Sequence, residues 1–170
     1  FSMIEGLADI YEKRGQKEYA TRLRSAKPQV DTQSFDYASE LVGKALNIIN
    51  AQKAGDALKM LNEAEVLLPR TNEPNYQYMF VPLYANKSTA FAALGNLQET
   101  QKSLAQMRKY QEQLGKKDWF AFYISQINSC AVYFATRDDY KSAFYLIHFS
   151  KNEVYNEGLP EDSATTKLER

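Results

Sequence analysis

The residues whose types could do chemistry are few and scattered along this 170-residue chain. His148 is the only histidine and Cys130 the only cysteine. No second metal-ligating or nucleophilic residue stands near His148 at a usable spacing, so we expect a structural or surface role for it. Cys130 falls on the apolar side of a predicted helix, where a buried and unreactive thiol is expected.

Adjacent carboxylates occur at Asp138-Asp139 and at Glu161-Asp162. Helix capping explains both pairs, whereas acid–base catalysis would need two carboxylates that converge on one cleft. The sequence contains neither the glycine patterns that bind phosphate nor the HExxH and CxxC patterns that bind metals or do redox chemistry. It therefore predicts no catalytic residue, no metal site and no cofactor in this chain.

Composition narrows the class of partner. The 21 Lys and Arg residues balance the 21 Asp and Glu residues, so no net charge attracts nucleic acid or an anionic membrane. No apolar run approaches the ~18 residues that a membrane span needs. Gly and Pro number only 7 and 5, against 12 Tyr and 9 Phe, which favours a packed protein over disorder. We expect a protein or peptide partner, with no nucleic-acid binding and no membrane insertion.

Helical periodicity is clearest around Gly95. Apolar residues recur at helical spacing before and after this glycine, which predicts two antiparallel helices joined by a tight turn. In a similar pair further upstream, Gly55 and Asp56 are expected to turn the chain. Pro82 should lie in the first turn of its helix or kink it, and we favour the kink because the apolar pattern already starts at Tyr76. No stretch alternates with period two, so the prediction is an all-α chain with helix pairs at about 2–27, 34–68, 75–114 and 118–157, followed by a linker or the start of another helix at 158–170.

The four pairs can be aligned by a small residue early in each second helix. The aligned residues are Ala20, Ala57, Thr100 and Ala143, with separations of 37, 43 and 43 residues. A period in this range is typical of a stacked helical array. In three pairs the turn residue comes five positions earlier, whereas Gly55 comes only two positions before Ala57, which implies a compressed loop or a shifted register.

At these residues the chain resembles the tetratricopeptide repeat family, whose first helices carry a large, a small and an aromatic residue and whose second helices carry alanines. The matching triplets are Leu7, Ala8, Tyr11; Lys87, Ser88, Phe91; and Cys130, Ala131, Phe134. Lys87 and Thr100 depart from the family pattern. The resemblance covers residues 1–157 and implies a right-handed superhelical stack of about four antiparallel helix pairs. It also implies a concave surface of first helices that binds other proteins without catalysis. The aligned small residues should lie where helices cross closely, and Tyr11, Phe91 and Phe134 should fill space between successive pairs.

Aromatic residues gather before the first helices of the third and fourth pairs. Consecutive aromatics such as Trp119 and Phe120 cannot all face one core, so they either add packing between long helices or form the lip of a peptide-binding groove. The candidate groove residues are Tyr76, Tyr78, Phe80, Asn86, Thr89, Trp119, Phe122, Ser125 and Asn128.

The long repeats and the closing stretch from Asp138 onwards are also similar to the repeat regions of bacterial two-component sensor histidine kinases. That resemblance implies an extracytoplasmic sensing region, with a membrane span and a kinase domain outside this chain, which starts at Phe1 and is expected to be a fragment. The alternative is the repeat domain of a cytoplasmic, peptide-responsive transcription regulator. Uncovered helices at the ends of such an array also predict self-association.

Overall fold

The computed structural model describes residues 9–25, 34–115 and 119–157. The chain divides into two compact units, Phe1–Thr32 and Gln33–Arg170, and each is considered on its own. Every regular element in the described ranges is helical, which confirms the all-α prediction.

The first unit contains α1 (residues 9–13) and α2 (Lys17–Ser25). In the second unit the long helices form three consecutive pairs that make its most extensive contacts. The pairs are α3 (Phe35–Asn50) with α4 (Ala54–Leu67), α5 (Phe80–Ala93) with α6 (Leu97–Gln113), and α7 (Phe120–Ala135) with α8 (Tyr140–Asn156). Two 3₁₀ turns, Leu68–Arg70 and Tyr76–Met79, lie between α4 and α5.

One turn geometry recurs in all four helix pairs. A residue two or three positions after the end of each first helix has a positive φ and donates its N–H to the carbonyl three residues before it. The N–H of the following residue donates to the carbonyl five residues before it. These N···O distances are 2.9–3.0 Å in every pair, the pattern of a Schellman helix end. The positive-φ residues are Gly15 (77°), Gln52 (62°), Gly95 (77°) and Asp138 (60°).

The expected turn at Gly55 and Asp56 is wrong, because both residues lie inside α4. Gln52 takes the turn position instead, and it stands five residues before Ala57, the spacing of the other three pairs. The left-handed conformation depends on the hydrogen bonds that close the helix, which a non-glycine residue can satisfy at some conformational cost. The second pair therefore has the same register as the others.

The aligned small residues are all buried. The exposed fractions are 1% for Ala20, 0% for Ala57, 0% for Thr100 and 5% for Ala143. Thr100 fits at such a position because its hydroxyl donates to the Asn96 carbonyl at 2.8 Å. In the first helices Phe134 is fully buried, whereas Tyr11 and Phe91 are half-buried.

Helix ends follow simple capping rules. Ser34 caps α3 by accepting the Tyr37 N–H at 3.1 Å, and Asp139 caps α8 by accepting the Ser142 N–H at 3.2 Å. Pro82 lies in the first turn of α5, so the expected kink at this proline is wrong. Tyr76 and Tyr78, which precede Pro82, lie in the separate 3₁₀ turn Tyr76–Met79. The predicted capping residues Glu161 and Asp162 lie outside the described residues.

The core of the second unit runs through all three pairs. One cluster of buried side chains joins α3, α4 and α5, and another joins α5, α6, α7 and α8. Tyr84, Tyr110 and Tyr133 pack against both clusters. The first helices contact one another in the order α3, α5, α7, so α5 is the central member of a layer of first helices.

Candidate interaction surface

The first helices are joined by a hydrogen bond that occurs twice. The Asn86 side-chain amide of α5 donates to the Val42 carbonyl of α3 at 2.8 Å. The Gln126 amide of α7 donates to the Ala85 carbonyl of α5 at 2.9 Å. Val42 and Ala85 are 43 residues apart, the repeat spacing, so the same helix position accepts the amide in both cases.

Gln126 is the centre of a small polar cluster between α5 and α7. Its amide nitrogen lies 3.0 Å from the Ser88 hydroxyl and 2.7 Å from the Thr89 hydroxyl. Cys130 is buried beside Ser88, at 3.5 Å between sulfur and oxygen. Burial raises the pKa of this thiol to about 11, although hydrogen bonds to Ser88 and Gln126 oppose the shift. The cluster therefore fixes the contact between the two helices and contains no activated nucleophile.

A second recurring contact joins α4 to α5 and α6 to α7. In α4, the Glu65 carboxylate accepts hydrogen bonds from the Lys87 ammonium and the Tyr84 hydroxyl of α5. In α6, 43 residues later, the Arg108 guanidinium lies 5.0 Å from the Phe120 ring centroid and 5.5 Å from that of Tyr123.

Lys87 is only 7% exposed, an unusual burial for a lysine. Burial pushes the pKa of Glu65 upward, but the hydrogen bonds from Lys87 and Tyr84 outweigh burial and lower it below its ordinary value. Burial, together with the hydrogen bond to Glu65, also raises the pKa of the Tyr84 hydroxyl. Glu65 is therefore ionised at neutral pH, and its hydrogen bonds with Lys87 and Tyr84 fasten α5 to α4.

The predicted groove residues do not form one patch. Phe80, Thr89 and Asn128 are 5%, 5% and 7% exposed, so their side chains are not available at the surface. Asn86 is half-buried and engaged with α3. The others are half-buried or exposed: Tyr76, Tyr78, Trp119, Phe122 and Ser125.

Some of these aromatic residues pack between helices, and others are exposed. The Phe80 ring stacks on the Tyr110 ring with centroids 4.6 Å apart, and Tyr76 packs edge-on against Phe80 at 6.1 Å. The Phe80–Tyr110 stack lies within the third pair, and Phe80 and Tyr76 also pack with the buried cluster of α3 and α4. By contrast, Phe122 is 46% exposed on α7 and Tyr78 is 39% exposed.

Exposed uncharged residues occur on both first helices next to α5. We call them the first-helix surface, formed by Gly43, Leu46, Asn50, Phe122, Ser125 and Ser129, all exposed. The whole of α7 lacks Asp, Glu, Lys and Arg. On α3 the charged residues Asp36, Glu40 and Lys44 are also exposed, and Asp36 stands seven residues before Gly43, on the same side of the helix. This surface could receive a ligand through van der Waals contacts and neutral hydrogen bonds.

Reactive side chains do not assemble. Within residues 9–25, 34–115 and 119–157, no group of three or more His, Cys, Asp or Glu could hold a metal ion. His148 is exposed, with its ring 4.4 Å from that of Phe144. Asp138 and Asp139 form the turn and cap of α8, while Glu161 and Asp162 lie outside the described residues. Over the same ranges, no helix combines the length and apolar character needed to cross a membrane.

Sequence reasoning missed the partners that hold the layer together. Lys87 was the one sequence signal of such a contact, because it is a lysine at a position where the repeat pattern has a large apolar residue. Its partner Glu65 is 22 residues away, and no local spacing identifies it. Gln126 likewise has no sequence signature of its own. Comparisons with protein-family models, curated proteins and solved structures give no match to this chain.

Proposed function

We propose that this chain is a non-catalytic scaffold of tetratricopeptide-like helix pairs that binds a protein or peptide on its first-helix surface. The supporting observation is the repetition of one turn geometry at Gly15, Gln52, Gly95 and Asp138, which matches the separations of the aligned small residues. Repeated units with neighbour-to-neighbour contacts are the general basis of stacked helical arrays. A right-handed superhelix is part of this proposal.

A contact across α5 supports a curved layer. The Tyr133 hydroxyl of α7 donates to Asn50 Oδ1 of α3 at 3.1 Å, although α5 lies between these two helices in the layer. Side chains on α3 and α7 meet in this way when the outer helices tilt toward each other over the middle one. Leu46 and Ser129 of the first-helix surface lie one helical turn from Asn50 and Tyr133, respectively.

The proposed ligand is an uncharged stretch of polypeptide. Asn50, Ser125 and Ser129 offer neutral donors and acceptors, and Leu46 and Phe122 offer apolar contact. A charged ligand side chain beside Leu46 and Phe122 would lose hydration, and neither residue offers a partner of opposite sign.

The finer proposal is a sensing region of a bacterial two-component histidine kinase, with the transcription-regulator repeat domain as the alternative. Its support is the sequence resemblance of the long repeats. The coding sequence on both sides of this chain distinguishes the two. A membrane span followed by kinase motifs supports the sensor, and a helix-turn-helix domain supports the regulator.

Binding can be tested by panning a displayed library of random peptides against the whole chain. We then compare Leu46→Glu with the matched control Leu94→Glu, since these leucines are 44% and 48% exposed. Leu46→Glu introduces a charge into the proposed apolar contact, so it should lower the affinity for the selected peptides by about tenfold or more. Leu94→Glu should change that affinity little. Equal effects of the two variants, or selected peptides rich in charge, would refute the proposed surface.

A further inference from the structure

Half-buried contacts hold the pair α7–α8 to α5 and α6 along the N-terminal half of α7. The Gln126 amide donates to the Ala85 carbonyl at 2.9 Å and lies within 3.0 Å of the Ser88 and Thr89 hydroxyls. Nearer the start of α7, the Arg108 side chain of α6 lies against two aromatic rings and is 24% exposed. Breaking such contacts leaves shielded polar groups without partners, which is costly.

The contacts at the other end of α7, where the chain turns into α8, are of a different kind. The Tyr133 hydroxyl donates to Asn50 Oδ1 at 3.1 Å, and the Arg137 guanidinium donates to the Ala93 carbonyl at 2.9 Å. Both hydrogen bonds are exposed to solvent. Asn50 and Ala93 are the last residues of α3 and α5, so both bonds lie at the turn end of the first helices. We call these two hydrogen bonds the clasp.

The second helices show the same exposure near this end. The Gln101 amide of α6 donates to the Tyr145 hydroxyl of α8 at 2.8 Å, again in contact with solvent. Because water competes for both partners of an exposed hydrogen bond, such a bond opens at little cost in free energy. Tyr133 stands seven residues after Gln126, which is about 10 Å along α7. The pair α7–α8 is therefore held firmly near Gln126 and loosely at its turn end.

The Tyr133 ring limits how far the turn end can move. The ring is half-buried and packs against both buried clusters. Full separation of α7 from α5 would expose it to water, whereas a small rotation breaks the hydroxyl bond and keeps the ring covered. Within the described residues α7 contacts α5 extensively and α3 only slightly. The Tyr133–Asn50 bond is thus a direct restraint on the distance between α3 and α7.

We propose that the pair α7–α8 rotates as a unit about the Gln126 contacts, and that the clasp opens and closes its turn end over α5. In the closed state, Tyr133 and Arg137 bond to α3 and α5. In the open state, both side chains bond to water, and the turn ends of α3 and α7 lie further apart. Since the motion is a rotation about a point within α7, the opposite ends of the pairs do not separate with them.

The clasp adjoins the first-helix surface. Asn50 belongs to that surface, and Ser129 lies one turn before Tyr133 on α7. Opening the clasp would change the distance between the α3 and α7 parts of the surface, so a ligand that prefers one distance would shift the equilibrium of the clasp. This consequence depends on the proposed function, whereas the rotation itself does not.

Distances between spin labels on the whole chain, measured by double electron–electron resonance, test the rotation. Lys53→Cys and Lys141→Cys place one pair of labels at the turn ends of the second and last helix pairs. Arg70→Cys and Asn156→Cys place another pair at the opposite ends, and all four positions are exposed. Cys130 is retained because it is buried.

Variants of the clasp should shift these distances. Tyr133→Phe removes the hydroxyl and keeps the ring, and Arg137→Met removes the guanidinium. The double variant should raise the fraction of molecules with a long turn-end distance by about threefold or more, because two hydrogen bonds of the closed state are lost. The distance at the opposite ends should stay the same or shorten. The control Tyr37→Phe loses an exposed hydroxyl bond to Glu63 within one pair, so it should change neither distance.

Two results overturn the proposal. The first is a turn-end distance that is the same in the clasp variants as in the wild type. The second is equal lengthening at both ends, which would mean that the pairs separate without a pivot. Tyr133→Phe alone should shift the turn-end distance in the same direction, and it replaces the double variant if circular dichroism shows that variant to be unfolded. The distances are measured without a ligand, so a failure of the rotation and a failure of the first-helix surface give different results.

Discussion

Replacement of Lys87 by methionine tests how the second and third helix pairs are joined. Methionine keeps most of the side-chain volume but removes the ammonium group that donates to Glu65. The Lys87 side chain is 9% exposed and the Glu65 side chain 33% exposed, so the variant leaves a partly buried carboxylate with Tyr84 as its remaining hydrogen-bond partner in this contact.

The expected cost lies between two limits. Removing one partner of a fully buried ion pair costs ~3–5 kcal/mol of unfolding free energy, whereas exposed pairs contribute ~0–1 kcal/mol. Because water still reaches one third of Glu65, we expect Lys87→Met to lower the unfolding free energy by about 1–3 kcal/mol. The control is Lys59→Met, whose ion pair with Asp56 is exposed on both sides, and it should cost less than about 0.5 kcal/mol.

The contribution of the Lys87–Glu65 contact to the free energy of unfolding should depend on pH. The folded-state pKa of Glu65 lies below its ordinary value of 4.5, so the pair contributes in full above that pH. Its contribution is lost as the pH falls through the folded-state pKa. The difference between wild type and Lys87→Met should therefore be largest near neutral pH and shrink under acid conditions.

Urea unfolding followed by circular dichroism measures these differences, with Glu65→Gln and the double variant completing a mutant cycle. The double variant should be more stable than Lys87→Met alone, because no unpaired carboxylate remains. A Lys87→Met variant as stable as Lys59→Met, or a stability difference that is the same at acid and neutral pH, would refute the electrostatic account.

Three further predictions concern the turns, the close helix crossings and the thiol. Gln52→Gly should raise the unfolding free energy by about 1 kcal/mol, because Gln52 has a φ of 62°, and urea unfolding checks it. Ala57→Leu should lower the free energy of unfolding by ~1–3 kcal/mol, because the larger side chain overpacks a fully buried site. Ala105→Leu, at an exposed site in α6, should have little effect on it. Cys130 should resist iodoacetamide at neutral pH in the folded chain and react on unfolding, because burial raises its pKa to about 11; equal rates in both states would contradict that.

The helices and their approximate register could be predicted because both leave local signals. Apolar residues at helical spacing and the alignment of Ala57 with Thr100 and Ala143 depend on near neighbours in sequence. The turn at Gln52 was missed because glycine and aspartate are the usual signals for a turn, and Gly55 with Asp56 stand close by. A constant offset of five residues from the aligned small residue would have identified Gln52.

The groove residues were harder to predict because exposure depends on contacts between pairs. Helical spacing alone placed Thr89 and Asn128 on the first helices but could not show that both are buried. Lys87 illustrates the same limit, since a lysine inside an apolar pattern is satisfied by a glutamate from the preceding pair. Such long-range contacts are set by tertiary packing, which no local pattern specifies.

The uncharged helix α7 has a consequence for the unfolded protein. Its 16 residues include five aromatic side chains and no charge, and many of them are hidden by α5, α6 and α8. When α7 and α8 separate from the rest of the chain, α7 becomes exposed to solvent. It lacks the charged residues that usually keep hydrophobic segments from self-associating. Refolding yield should therefore fall as protein concentration rises, and aggregates formed on heating should be enriched in this segment.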